Sequence, residues 1–382
     1  MGTTSRLAQS GAPRPVDGVT DKETENLQKI LAAADAAHAQ IGAGRRQSLK
    51  DEARLLARHC AQFRAPSTGR AIFQIATTAI PFLALVVAMI WLAEPAPWLT
   101  LLLGIPLGGL VVRFFIIQHD CGHGSFFASR RANDTVGRLV SVLTLTPYSL
   151  WRRVHAMHHA GSGNLDRRGA GDIETLTVRE YLDLPWRRRV YYRVYRNPLF
   201  LFFIAVPTFF VLVQRLPWGH PLPAREVWKS VLGLDIALIA VYGVLVALIG
   251  LKILLLVALP AVLCASVIGG WLFFVQHQFE ETAWDEGESW DFQMSAIHGS
   301  SHYDLPRVLN WFTGNIGLHH LHHLNSMVPN YRLQECLSTI PTEIPVTKLA
   351  LLESFKCARL ALWDETQRRL IRFCDIPKVQ PA

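Results

Sequence analysis

Positions 71 to 93 form an unbroken run without a charged side chain. Lipid offers no water to satisfy backbone N–H and C=O groups, so such a run is confined to a helix, and about 20 residues span a hydrocarbon core of roughly 30 Å. A second run, 98–117, is interrupted only by Arg113 near its far end, from where a long side chain can snorkel to the interface. Pro95 and Pro97 mark the turn between the two runs. A further apolar pair fills 230–275 and meets near "IGLK", 249–252, with Asp235 near one end and Lys252 at the turn. The expected fold is an all-α integral membrane protein with four transmembrane helices, arranged as the hairpins 71–118 and 230–276. Composition agrees, since 18% of the 382 residues are charged, against about 25% in soluble domains.

Arg45, Arg46, Lys50, Arg54, Arg58, Arg64 and Arg70 precede the first run, while its turn "EPAP" carries no positive charge. The positive-inside rule then puts both ends of the hairpin in the cytoplasm. A net charge of +8 would also suit a nucleic-acid partner, but beside these apolar runs it suits anionic lipid, and no nucleic acid is expected. The six cysteines contain no CxxC pair, which fits a reducing compartment and neither a disulfide framework nor a zinc finger. Segment 1–64 lacks the apolar core of a signal peptide. Within a polar segment 1–70, a disordered start and an amphipathic helix over 21–64 are expected; a membrane unit follows over 71–335, then a helical cytosolic segment over 336–382. The stretch "WRRRVYYRVYRNP", 186–198, interleaves Arg with aromatic residues as an interface-anchoring helix does. Segment 198–214 is long enough to span. It is read as interfacial, re-entrant or shallow, because an even number of crossings must separate the histidines of 119–159 from those of 277–323.

Twelve of the fifteen histidines lie in those two stretches. "HDCGH" holds His119 and His123; "HAMHH" holds His155, His158 and His159; "HHLHH" repeats that spacing in His319, His322 and His323. Residues three and four apart share a helix face, so each cluster is expected to aim at one point. Neutral imidazole is a ligand for Fe, Zn, Cu and Ni. Eight convergent imidazoles exceed the four ligands of one zinc, so a two-metal site is expected. It would sit in a cytosolic helical cap, because His119 and His277 lie at the cytoplasmic ends of the two hairpins; His277 is taken as a ninth ligand. His320 is one residue out of register and is assigned to packing or to support of the ligands. Asn315, Asp120, Asp172 and Glu280 are placed to accept or donate behind the ligands. His298 and His302, in "HGSSHYDLP", are read as loop residues.

These boxes resemble those of the membrane-bound fatty acid desaturases, which carry HxxxH, HxxHH and a third HxxHH or QxxHH. The stretches "DIETLTVREY", "FVQHQFE" and "WFTGNIGLHHLHHLNSMVPNYRLQ" are similar as well, most of all to the bacterial acyl-lipid branch with ω-6 (Δ12-type) members. The resemblance covers roughly 70–335. It implies a four-helix stem and a cytosolic cap holding two irons, with His119, His123, His155, His158, His159, His319, His322 and His323 as ligands and His277 as the family's additional histidine. It further implies O2 as co-substrate, a membrane lipid acyl chain as substrate and a cis double bond as product. No "HPGG" haem motif occurs, so the donor of electrons is a separate protein, ferredoxin-like or other. An acyl chain would lie in an apolar tunnel, for which Trp151, Trp271, Phe274 and Trp311 flank the boxes. The implied location is a bacterial inner membrane, with both termini and the metal site cytoplasmic.

The boxes alone also fit other membrane di-iron oxygenases, such as alkane or carotenoid hydroxylases, ketolases and acetylenases. A non-enzymatic membrane metal protein is the rival of another class; a transporter would carry its ligands inside the spans, and these histidines lie beyond the apolar runs.

Overall fold

The computed structural model describes residues 47–169, 171–216, 222–340 and 346–376. The expected disordered start and most of the 21–64 helix lie outside them. The chain divides into a first unit, Met1–Asp51, and a second, Glu52–Ala382. Helix α1 (47–61) begins in the first and ends in the second, which holds every other described element.

Helix α2 (Thr68–Leu92) is capped by the Ser67 hydroxyl, and α3 (Pro97–His123) opens with proline at its first turn, where a missing N–H costs nothing. The two run antiparallel: Thr100 Oγ1 donates to Met89 O (3.3 Å) near the turn, and Arg113 Nε donates to Thr78 Oγ1 (3.1 Å) at the far end. Arg113 does not reach solvent. It is 7% exposed, lies 4.1 Å over the Trp311 ring and also donates to the Trp311 carbonyl. Gly124, with φ 75° in the left-handed region, ends α3 directly behind the first histidine box.

Helices α4 (Arg130–Thr144) and α5 (Tyr148–Gly161) return over the end of α3. Tyr148 Oη donates to Cys121 O (2.8 Å) and Leu150 N to Ser230 Oγ (2.9 Å), which wedges α5 between α3 and the second apolar pair. Strand β1 (Leu176–Thr177), α6 (Val178–Asp183) and α7 (Trp186–Tyr195) follow. Segment 198–215 is a broken helix: α8 (Pro198–Phe200), a π-helical turn over Leu201–Ala205, and α9 (Val206–Val211) before a final 3-10 turn. Both its flanks bond to the box-bearing end of the spans. Arg196 Nη2 donates to Gln278 Oε1 (2.8 Å), and Gln214 Nε2 to Thr146 Oγ1 (3.1 Å).

Helix α10 (Ala224–His277) has 54 residues and one non-helical residue, Gly250 (φ 77°, ψ 153°). A straight helix of this length would separate its ends by about 80 Å. Instead Val227 and Val231 pack on Leu150 of α5, while His277 meets His158 of the same helix. The chain therefore folds back at Gly250 into two legs. Among the described residues, four helical stretches are long and apolar enough to cross a membrane: Thr68–Leu92, Pro97–His123, Pro198–Arg215 and Ala224–His277. Their outer faces carry exposed Phe73, Ile80, Trp91, Ile239 and Leu248, an apolar surface of the kind lipid covers. On the inner side Met89, Leu107, Val257 and Ala261 form a common core.

Beyond the spans lie α11 (Phe292–His298), β2 (His302–Asp304), α12 (Arg307–Phe312), α13 (His319–Leu324), α14 (Asn330–Ser338), β3 (Lys348–Ala350), α15 (Leu351–Ser354), β4 (Leu362–Asp364) and β5 (Arg369–Ile371). Two expectations change here. His298 ends a helix and His302 opens a strand, where a loop was expected. The segment 336–382, expected to be helical, carries three strands: β3 runs parallel to β2, β4 parallel to β1, and β5 antiparallel to β4. Strands this short give alternation no room to declare itself. They hold the C-terminal segment against the stretches that follow box two and precede box three. From the other side, Ala53, Leu56 and Cys60 of α1 pack on Leu321 of α13 and on Leu333 and Cys336 of α14.

Candidate metal centre

Four elements bring the histidines together. His119 and His123 occupy the last turn of α3, His155, His158 and His159 the second half of α5, His277 the end of α10, and His319, His322 and His323 the short helix α13. The start of α13 is tied to α10 by Gln276 Nε2, which donates to Ile316 O (3.0 Å), next to His277. All nine expected ligands fall into two groups whose ligand atoms lie within 4.8 Å of one another: His119, His123, His155, His159 and His322; and His158, His277, His319 and His323.

The boxes do not each aim at one point, as expected from helix periodicity. In each HxxHH box the pair four apart serves one group and the residue three along serves the other. His155 and His159 join the first group and His158 the second; His319 and His323 join the second and His322 the first. With about 3.6 residues per turn, position i+4 overshoots a full turn and i+3 falls short of one, so the two lie on opposite sides of position i. One helix turn can therefore face two centres.

The donor set fits a cation. His158 Nδ1 is bonded to the Asp172 carboxylate, and His277 Nδ1 lies 3.0 Å from Gly299 O. Both partners only accept, so both rings carry their proton on Nδ1 and a bare lone pair on Nε2. Yet the two Nε2 atoms are 3.2 Å apart. Two lone pairs at that distance repel unless a proton or a metal lies between them. Nitrogens bound to one cation at about 2.1 Å lie roughly 3 Å apart. The same spacing recurs between the Nε2 atoms of His319 and His277 (2.9 Å), His159 and His155 (3.1 Å), and His322 and His159 (3.1 Å). The Nε2 atoms of His123 and His323 are buried with no hydrogen-bond partner, a loss of about 1–3 kcal/mol each unless something fills them.

Burial, and after it the neighbouring imidazoles, hold His155, His159, His319, His322 and His323 well below their ordinary value near 6.5. They are neutral at pH 7, as metal ligation requires. His119 Nδ1 lies 3.0 Å from Asp120 Oδ1, so Asp120, Asp172 and the Gly299 carbonyl each fix the tautomer of one ring.

Other expected site residues lie elsewhere. His320 is buried, belongs to neither group, and lies beside His302 with ring centroids 5.6 Å apart. Asn315 sits in the turn 313–317 with φ 60° and does not support His319, whose Nδ1 has no hydrogen-bond partner. Glu280 is an exposed partner of Arg369 at 2.7 Å. Of the four tunnel residues, Trp151 stacks on His155 (4.5 Å, 16°). Trp271 donates to Tyr303 Oη (3.2 Å), Phe274 is wholly buried in the same apolar cluster, and Trp311 covers Arg113. Phe273, which the residue pattern did not single out, faces His158 (5.2 Å) and His277 (5.4 Å). With His277, Asp172, Ser162 and Trp284 it lines a small cavity against the second group.

The model of the fatty acid desaturase family matches residues 95–352. A fatty acid desaturase of Bacillus subtilis (strain 168) is 37% identical over 333 residues, 86% of this chain and 92% of that protein. An sn-1 oleoyl-lipid 12-desaturase of Anabaena variabilis is 26% identical over 314 residues, 76% of this chain and 81% of its own. An sn-1 acyl-lipid omega-3 desaturase (ferredoxin) of Nostoc sp. (strain 36) is 29% identical over 265 residues, 65% and 68% of the two chains.

Proposed function

We propose, from the premise that the chain belongs to the fatty acid desaturase family and is an oxidoreductase of that kind, that it introduces a cis double bond into a membrane lipid acyl chain at a pair of histidine-held irons. The observation that carries this reading is the division of nine imidazoles into two facing groups, with His158 and His277 presenting lone pairs to each other 3.2 Å apart. Iron bound there supplies the O2 and electron chemistry that an unactivated methylene demands.

The chain's own residues do the rest. Asp120, Asp172 and the Gly299 carbonyl hold three rings in the tautomer that leaves Nε2 free. Burial of box three, with His319, His322 and His323 at 1–3% exposure, keeps bulk water from the centre. Trp151 against His155, and Phe273 against His158, form apolar walls beside which a methylene can be placed. The ω-6 (Δ12) position follows the named activity of the Anabaena relative, and a separate ferredoxin-like donor follows the name of the Nostoc relative. We place the membrane unit at 71–335 in a bacterial inner membrane, with the histidines and both termini cytoplasmic. The folded-back α10, and a 198–215 segment bonded at both flanks to the box end, support that placement.

The test is expression in a bacterial host whose lipids hold only saturated and monounsaturated chains, together with a ferredoxin and its reductase, followed by lipid analysis and metal analysis of the purified protein. New dienes and about two irons per chain are expected. A hydroxylated product would move the chain to the oxygenase rivals, and stoichiometric zinc without iron would remove the reading.

A further inference from the structure

We propose, resting on this reading of the metal centre, that Asn330 is a positioning residue for the five-histidine group, acting through Asp120 on His119. Asp120 uses one carboxylate oxygen, Oδ1, for His119 Nδ1 (3.0 Å). The other, Oδ2, accepts twice from Asn330, from the backbone N–H (2.6 Å) and from Nδ2 (2.8 Å). Asn330 is the first residue of α14, so its backbone N–H has no partner within the helix and is free for this use.

The direction of the amide is dictated at every link. A carboxylate only accepts, so Asn330 must turn its amino group to Asp120 and its oxygen away. That oxygen accepts from Gln74 Nε2 on α2 at 3.0 Å. Gln74 must then present its own amino group, which leaves its Oε1 buried with no hydrogen-bond partner. An orphaned oxygen at the outer end shows that the orientation is set from the carboxylate outwards. The four side chains are 1–4% exposed, so no solvent can substitute for a lost link. Two elements outside the boxes, α2 and α14, thus decide where the Asp120 carboxylate points and on which nitrogen His119 keeps its lone pair. Without the Asn330 side-chain amide, Asp120 Oδ2 keeps only the backbone N–H of position 330, and the carboxylate loses the second bond that fixes its geometry toward the ring.

The test compares Asn330→Asp and Gln74→Leu with the unchanged protein, each purified whole from membranes, by iron content, Mössbauer spectrum, helix content and desaturation. Asn330→Asp places a second carboxylate against Asp120. It is expected to lose half of the bound iron and one of the two spectral components, with helix content unchanged. Gln74→Leu removes the donor to Asn330 Oδ1 and loosens the amide behind Asp120; it is expected to keep its iron and broaden that same component. Wild-type iron and an unchanged spectrum in Asn330→Asp would overturn the proposal. Should Asn330→Asp fail to fold, an unchanged spectrum in Gln74→Leu would do so. Unchanged protein that carries no iron would instead remove the metal-centre reading, and this inference with it.

Discussion

His158 and His277 show how far a single residue's partner decides its chemistry. Each donates through Nδ1, one to a carboxylate and one to a carbonyl, and that commitment turns an ordinary imidazole into a ligand aimed inward. His320 carries the same ring one position away from His319 and does something else. It lies against His302, and burial, then that neighbour, push it down to about 3. Such shifts make stability depend on pH with a definite sign. Below the ordinary value near 6.5 the unfolded chain takes up protons that the folded, buried histidines refuse, so unfolding gains ground. Stability is full above pH 6.5 and falls as pH drops below it, for His320 down to about 3; the box histidines outside the spans act in the same direction. Protons also compete with a bound metal, so the sign holds for protein as purified. Thermal melts in detergent between pH 7.5 and 5 should show a falling midpoint. A flat profile would mean that these histidines are not buried and neutral.

Helices α5 and α13 carry the same HxxHH pattern and serve the two groups in exchanged roles, which no single element could reveal. The spacing of the histidines was legible because it is local: i, i+3 and i+4 are helix geometry. Which side of each helix meets which centre depends on how α5 and α13 pack against each other, and that is a tertiary fact. The His119–Asp120 contact could be read between neighbours in sequence. Asn330 and Gln74 were invisible, because they come to Asp120 from α14 and α2, far along the chain on either side. The hairpin in α10 was legible from "IGLK", since Gly is the residue that the turn requires. At φ 77° and ψ 153° Gly250 occupies a region that side chains strongly disfavour, and a Cβ there would meet nothing within 4 Å. Any cost of substitution is therefore conformational. Gly250→Val should destabilise the protein by about 1–3 kcal/mol, whereas Gly233→Ala on the first leg, also without neighbours within 4 Å but at ordinary helical angles, should be neutral or mildly stabilising. Thermal melts of the two variants check this, and equal midpoints would exclude a strained turn at Gly250.

Across the whole molecule, the parts the histidines need are gathered at one end of the spans. The last turns of α3 and α10 supply three ligands, α1 packs on α13 and α14, and both flanks of 198–215 bond to the same end. The apolar windows were legible because lipid, as a solvent, permits so little else. The course of 198–215 was not legible from hydropathy, which counts apolar side chains without saying which neighbours its two ends meet; its reading as interfacial, re-entrant or shallow came from the parity of the crossings alone. The opposite end of the molecule carries the two turns, with Glu94 at one and Lys252 at the other. The box end carries Arg54, Arg58, Arg64 and Arg70 before α2 and Arg187, Arg188 and Arg193 on α7. That imbalance supports the proposed orientation, with the box end facing the cytoplasm and the Gly250 turn outside. Cys374 is exposed and belongs to the C-terminal strand unit, and Lys252 is exposed at the turn. In intact cells a membrane-impermeant maleimide should therefore label Lys252→Cys in a Cys374→Ser background, while Cys374 of the unchanged chain should react only after the inner membrane is opened. The reverse pattern would invert the orientation. Labelling of both in intact cells would break the hairpin itself, since a chain that folds back at Gly250 cannot show its turn and its C-terminal unit on the same side.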